Sequence, residues 1–162
     1  MHDAAETAIA MFADGYSCAQ SAFAACAQPF GLPKETAIKI AQAFGGGIGG
    51  TGMICGAVTG ALMALGFTCS MKDGKDNQAK MHAKHLTQDF LQRFSSQHGS
   101  LLCRELTGQD LTTLEGLNKA IASGVFQTIC PGLVRDGVRT LQAVLAESEA
   151  TSESRRDPAP KE

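Results

Sequence analysis

The chain has no tryptophan and a single tyrosine among its 162 residues, and aromatic residues make up only 6% of it. The strands of a β-sandwich draw on aromatic and β-branched side chains, so this scarcity argues against that class. Charge is also thin, at 19% Asp, Glu, Lys and Arg; an average soluble domain carries roughly 25%. A net charge of −2 and a pI near 6.1 provide no bulk positive field for nucleic acid or an anionic membrane surface. No long apolar run is present either. The longest, Met53 to Phe67, is 15 residues and carries three glycines, short of the roughly 20 that span a bilayer. The opening Met-His-Asp-Ala-Ala-Glu has neither a basic nor an apolar signal region. A cytoplasmic, reducing setting is therefore expected, in which structural disulfides are rare.

Apolar residues, at 44%, are enough to build the core of one domain. Their spacing is helical. Ala5, Ile9, Phe12 and Ala13 mark a helix over 3–13, stopped by Asp14-Gly15. Ser17 is placed to cap a second helix, Cys18 to about Gln28, which Pro29 and Gly31 end. A third runs from Pro33-Lys34 to about Phe44. Ile54 to Gly66 reads as an apolar helix whose Gly56, Gly60 and Ala64 recur every four positions, so a neighbouring backbone can approach it closely. Asn77 to Gln97 is the longest helix, with Ala79, Ala83, Leu86, Phe90 and Phe94 on one face and Gly99 at its end. Short pieces at Leu101–Leu106 and Leu114–Ala122 precede a last helix, Pro131 to Glu147. No strand and no internal repeat stands out. The expectation is all-α: a compact helical bundle around a buried small-residue helix, with a glycine-rich loop at the cysteine site. Residues 1–150 form one domain, and 151–162, rich in Ser, Pro and charge, form a disordered polar tail.

Six cysteines are dispersed at positions 18, 26, 55, 69, 103 and 130. Close Cys-x-x-Cys pairs are absent, which excludes zinc ribbons, thioredoxin motifs and bacterial ferredoxin spacing; Cys-x-x-Cys-His is absent as well. Any shared site must be assembled by tertiary contact. Cys18, Cys55 and Cys130 fall where helices begin, and Cys103 near the start of a short one, beside Arg104. Helix N-termini offer free N–H groups and partial positive charge, which favour the thiolate, the form that attacks disulfides and ligates metals. Cys26 instead completes an apolar helix face with Ala19, Ala22 and Phe23, and Cys69 has no special feature; free cysteine often simply packs.

Gly45 to Gly52 holds most of the remaining interest. Of its eight residues, all but Ile48 and Thr51 are glycine. No Gly-Lys-Ser/Thr follows and no parallel-sheet unit precedes, so neither a P-loop nor a dinucleotide fold is indicated. The better reading is close backbone approach to Cys55, with Gly46, Gly47, Gly49, Gly50 and Gly56 supplying N–H donors to a thiolate or a cluster sulfur. His82 and His85 stand three apart, a spacing that can present two imidazoles to one metal, but Lys80 and Lys84 mark that face as solvated. No Ser/His/Asp order or nucleophile elbow supports a hydrolase.

At Cys55-Gly56-Ala57-Val58-Thr59-Gly60 the chain resembles a family of small redox-active proteins named for four cysteines and a Cys-Gly-Ala-x-x-Gly core. The resemblance extends to Gly15-Tyr16-Ser17-Cys18-Ala19-Gln20, the glycine-rich lead-in from Phe44, Leu65-Gly66, Cys103 before Arg104-Glu105-Leu106, and Cys130. It covers about residues 5 to 145. It implies that Cys18, Cys55, Cys103 and Cys130 are the family's four, and that some related domains carry iron–sulfur or haem centres.

The first expectation is therefore a redox protein whose four cysteines converge on an iron–sulfur cluster for electron transfer. Thiol–disulfide chemistry without metal, or a structural Cys₄ zinc site, are the alternatives. Whether the protein is an enzyme or a carrier is left open. Expected partners are a redox protein of unidentified kind and, as one option, further copies of the chain; nucleic acid and membrane insertion are not expected.

Overall fold

The computed structural model describes residues 3–69 and 71–156. Among them are nine α-helices: α1 (Ala4–Ala13), α2 (Cys18–Ala27), α3 (Lys34–Ala41), α4 (Gly56–Thr68), α5 (Asn77–His98), α6 (Cys103–Thr107), α7 (Leu114–Ser123), α8 (Val125–Thr128) and α9 (Cys130–Arg156). No helix among the described residues is long and apolar enough to cross a membrane. The fold is all-α, as the periodicity predicts.

Helix α4 occupies the centre because most of its buried residues are small. Gly56, Ala57, Val58, Gly60, Ala61, Ala64 and Leu65 are buried, and α2, α5 and α9 pack around it. Gly60 is the closest point: a methyl group built there would stand 2.6 Å from the Ala19 carbonyl oxygen and 3.1 Å from the Phe23 amide nitrogen of α2. Gly137 brings α9 within reach of the Ala57 carbonyl. Helix α9 closes the core with Leu133, Val134, Val138, Leu141 and Val144, while α5 contributes Phe90 and Phe94.

Local boundaries differ from the sequence reading where a distant partner decides them. The second and third helices end early, each relaxing into a 3₁₀ turn, Gln28–Phe30 and Gln42–Phe44. Helix α4 starts at Gly56, because Ile54 is extended in an antiparallel bridge with Leu102. Helix α9 continues past Glu147 to Arg156, so the first part of the expected tail is helical; 157–162 lie outside the described residues. Two features favour that continuation. Arg93 of α5 binds both carboxylate oxygens of Glu147, and the Thr151 and Ser152 hydroxyls donate to carbonyls one turn back.

Candidate functional site

Four cysteines stand at the N-terminal ends of four helices. Cys18 opens α2, Cys55 caps α4, Cys103 opens α6 and Cys130 opens α9. The local sequence explains each start. Ser17 and Gln20 form a reciprocal capping box: the Ser17 hydroxyl accepts from the Gln20 amide, and the Gln20 side chain accepts from the Ser17 amide at 3.0 Å. Cys55 and Cys103 are fixed by a short backbone ladder. The Cys55 amide donates to Leu101 at 2.8 Å, the Cys103 amide to Met53 at 2.7 Å and the Arg104 amide to Gly52 at 3.1 Å.

Between Cys18 and Cys55 the glycine loop folds in a left-handed run. Gly46, Gly47, Ile48, Gly49 and Gly50 all have φ between 61 and 79°, a region that costs side-chain-bearing residues energy and glycine almost none. The curl aims the Gly46 N–H at the Cys18 sulfur. It also lets Gly47 nest on Cys103, where an added methyl would stand 2.7 Å from the Cys103 Cβ.

These elements bring the sulfurs into one electrostatic neighbourhood. The Cys18 sulfur packs against Gly56, the residue after Cys55, and the Cys55 thiol and the amides of Gly46, Ala19 and Cys18 itself favour its thiolate. This pairing, with the three amides, outweighs burial and pulls Cys18 well below the ordinary thiol range. Cys55 moves the other way, because it holds the shared proton and is buried beside a thiolate. Cys103 is raised to about 11 and Cys130 to about 12, chiefly by burial and then by the charge on Cys18. Cys18, Cys103 and Cys130 line a single apolar cavity of about 180 Å³, closed by Phe12, Leu111 and Phe126. Of the four, only Cys18 is shifted toward the thiolate.

A family model described as "Putative redox-active protein (C_GCAxxG_C_C)" matches residues 16–144. The chain belongs to this family. No curated protein and no solved structure matches the chain.

Within this family member the candidate residues separate into groups. Gly46 lines the thiol cavity, and Gly56 packs directly beneath the Cys18 sulfur. An added methyl at Gly49 or Gly50 would meet only the Ala43 or the Leu111 carbonyl, each at 3.8 Å. Cys26 lies elsewhere, on an apolar cavity with Ala64 and Leu141, and burial pushes its thiol up to about 12. Cys69 packs at the end of α4, its thiol raised by burial. His82 faces Ser148 on the outer surface, in a groove that no cysteine lines. Among the described residues no group of three or more Cys, His, Asp or Glu side chains is disposed to hold one metal ion. Cys18 and Cys55 influence each other most, with Cys103 and Cys130 in the same electrostatic neighbourhood.

Several contributing residues escape the sequence reading. Gln20 is buried, and its amide nitrogen donates to the Ile38 carbonyl at 3.1 Å and to Gln42 at 2.8 Å, tying α2 to α3. Its signal is the Ser-x-x-Gln spacing of a capping box. Thr107 donates to the Cys103 carbonyl at 2.6 Å and also holds the Cys103 thiol. Phe12, Leu111 and Phe126, which wall the cavity, carry no local signal at all.

Proposed function

We infer that this family member is a thiol–disulfide redox protein in which Cys18 and Cys55 are the working couple. The observation that carries the reading is the place of the Cys18 sulfur, packed against Gly56, the residue after Cys55, where the Cys55 thiol and three backbone N–H groups favour its thiolate. A thiolate with a protonated thiol beside it is the arrangement thiol–disulfide exchange requires. Cys18 attacks an acceptor disulfide and forms a mixed disulfide. Cys55, deprotonated as Cys18 gives up its charge, then attacks the Cys18 sulfur. A Cys18–Cys55 bond forms, and both acceptor sulfurs leave as thiols, each carrying one of the electrons and protons transferred. Cys103 and Cys130, held as neutral thiols, line the approach without competing as nucleophiles.

Anaerobic purification with iron, sulfide and zinc analysis tests this reading. The expected product is colourless and metal-free, with two of its six thiols lost on mild oxidation. A brown protein carrying iron and sulfide, both lost on serine substitution at Cys18, Cys55, Cys103 or Cys130, would replace the dithiol reading with an iron–sulfur centre.

A further inference from the structure

Phe12 and Phe126 wall two cavities at once. On one side is the thiol cavity of about 180 Å³; on the other is a groove of about 550 Å³, completed by Ile9, Tyr16, Gln127 and Pro131. The groove is of a size that holds small molecules. Three of the chain's nine aromatic side chains, the only tyrosine included, gather there. No charged side chain lines it.

That chemistry narrows the occupant. The carboxylates of glutathione or the phosphates of a nicotinamide cofactor would be desolvated here with no cation among the lining side chains to meet them. A polypeptide disulfide would have to bring backbone amides past apolar walls into an inner space of only about 180 Å³. A planar, uncharged ring meets neither obstacle. It can lie offset against the phenyl rings, and its carbonyl oxygens can accept from the Tyr16 hydroxyl and the Gln127 amide. Neither group has a side-chain hydrogen bond among the described residues. The Tyr16 ring is itself held by the Lys34 ammonium, 4.9 Å from its centre.

We propose that this groove seats a planar, apolar two-electron acceptor of the quinone class, whose ring edge reaches Cys18 between Phe12 and Phe126. The proposal rests on the dithiol reading of Cys18 and Cys55. Cys18 sulfur adds to the ring; Cys55 sulfur then attacks Cys18, the sulfur–sulfur bond forms, and the ring leaves with the electron pair of the broken carbon–sulfur bond. The Cys55 proton and one proton from water end on the two ring oxygens, so one quinone becomes one hydroquinone for each disulfide made.

Duroquinone, whose methyl groups block irreversible arylation of thiols, is a suitable probe. The full chain with both Cys18→Ser and Cys55→Ser should bind it saturably. Adding Ile9→Lys, which places a charge in the groove, should weaken binding by about tenfold or more. Gln127→Lys, at an exposed position, makes the same test if Ile9→Lys does not fold. The reduced, unsubstituted chain should convert duroquinone to hydroquinone without oxygen and gain a Cys18–Cys55 bond. Absence of saturable binding, or binding that both lysine variants leave unchanged, would overturn the groove proposal. If 2-hydroxyethyl disulfide joins Cys18 to Cys55 while duroquinone is neither bound nor reduced, the groove proposal falls and the dithiol reading stands. If neither oxidant joins them, the dithiol reading itself falls.

Discussion

The amide of Cys55 donates to the carbonyl of Leu101 at 2.8 Å, and two further backbone bonds continue the contact to Cys103 and Arg104. This ladder stitches the end of the glycine loop to the start of α6. It fixes two cysteines that are far apart in the chain with main-chain bonds, which do not depend on side-chain rotamers. Because Cys55 precedes α4 directly, the same bonds set the entry of the central helix. Fold and site therefore share one fastening.

Gly60→Ala should destabilise the protein, because the new methyl would press on the Ala19 carbonyl, the Ala22 side chain and the Phe23 amide at 2.6 to 3.1 Å. Overpacking of this kind costs about 1–3 kcal/mol, more than the roughly 0.5–1 kcal/mol that alanine gains over glycine in a helix. Thermal melting should show Tm lowered by several degrees. Gly66→Ala, on the same helix with no atom within 4 Å of the added carbon, should leave Tm unchanged or raise it.

Much of this architecture is legible in the chain. Ser17 before Cys18 and Gly99 after His98 mark helix ends by capping chemistry, and each acts so in the fold. The every-fourth small residues of α4 announce the close approach of α2. Local patterns do not announce Ile54 as extended, because its bridge partner Leu102 is remote. They also miss α8, a single turn after Gly124. For the site, cysteine positions at helix starts and the family motifs carry the candidates. The pairing of Cys18 with Cys55, and the Phe12 and Phe126 walls, arise only when α1, α2, α4 and α8 meet.

Gln20→Ala should loosen the start of α2. It would leave the Ile38 carbonyl and the Gln42 side chain without the donor they share, and the Ser17 amide without its acceptor. A buried polar group stripped of its partner costs about 1–3 kcal/mol. Chemical denaturation should give a lower midpoint, and Cys18 should become more accessible to thiol reagents in the native state.

At neutral pH one cysteine should react with iodoacetamide far faster than the rest, and peptide mapping should place it at Cys18. The sign follows from the shifts. Cys18 is lowered, so its thiolate is already present below the ~8.5 of a free thiol. Cys26, Cys103 and Cys130 are raised to about 12, 11 and 12, so they stay protonated through neutral pH. The rate should rise with pH to a plateau reached at least one unit below a free thiol's. Cys55→Ala removes the donated proton and should move that plateau to higher pH; Cys55→Ser, which keeps a donor, should move it less.

Disulfide mapping after stepwise oxidation bears most directly on the central claim. The reduced full chain is titrated with diamide, quenched in acid, and its peptides are identified by mass. The first bond formed should join Cys18 to Cys55, at one equivalent of oxidant, with the other four cysteines still recovered as thiols. A first bond joining any other pair, or a mixture of pairs with no preference for Cys18 and Cys55, would contradict the account.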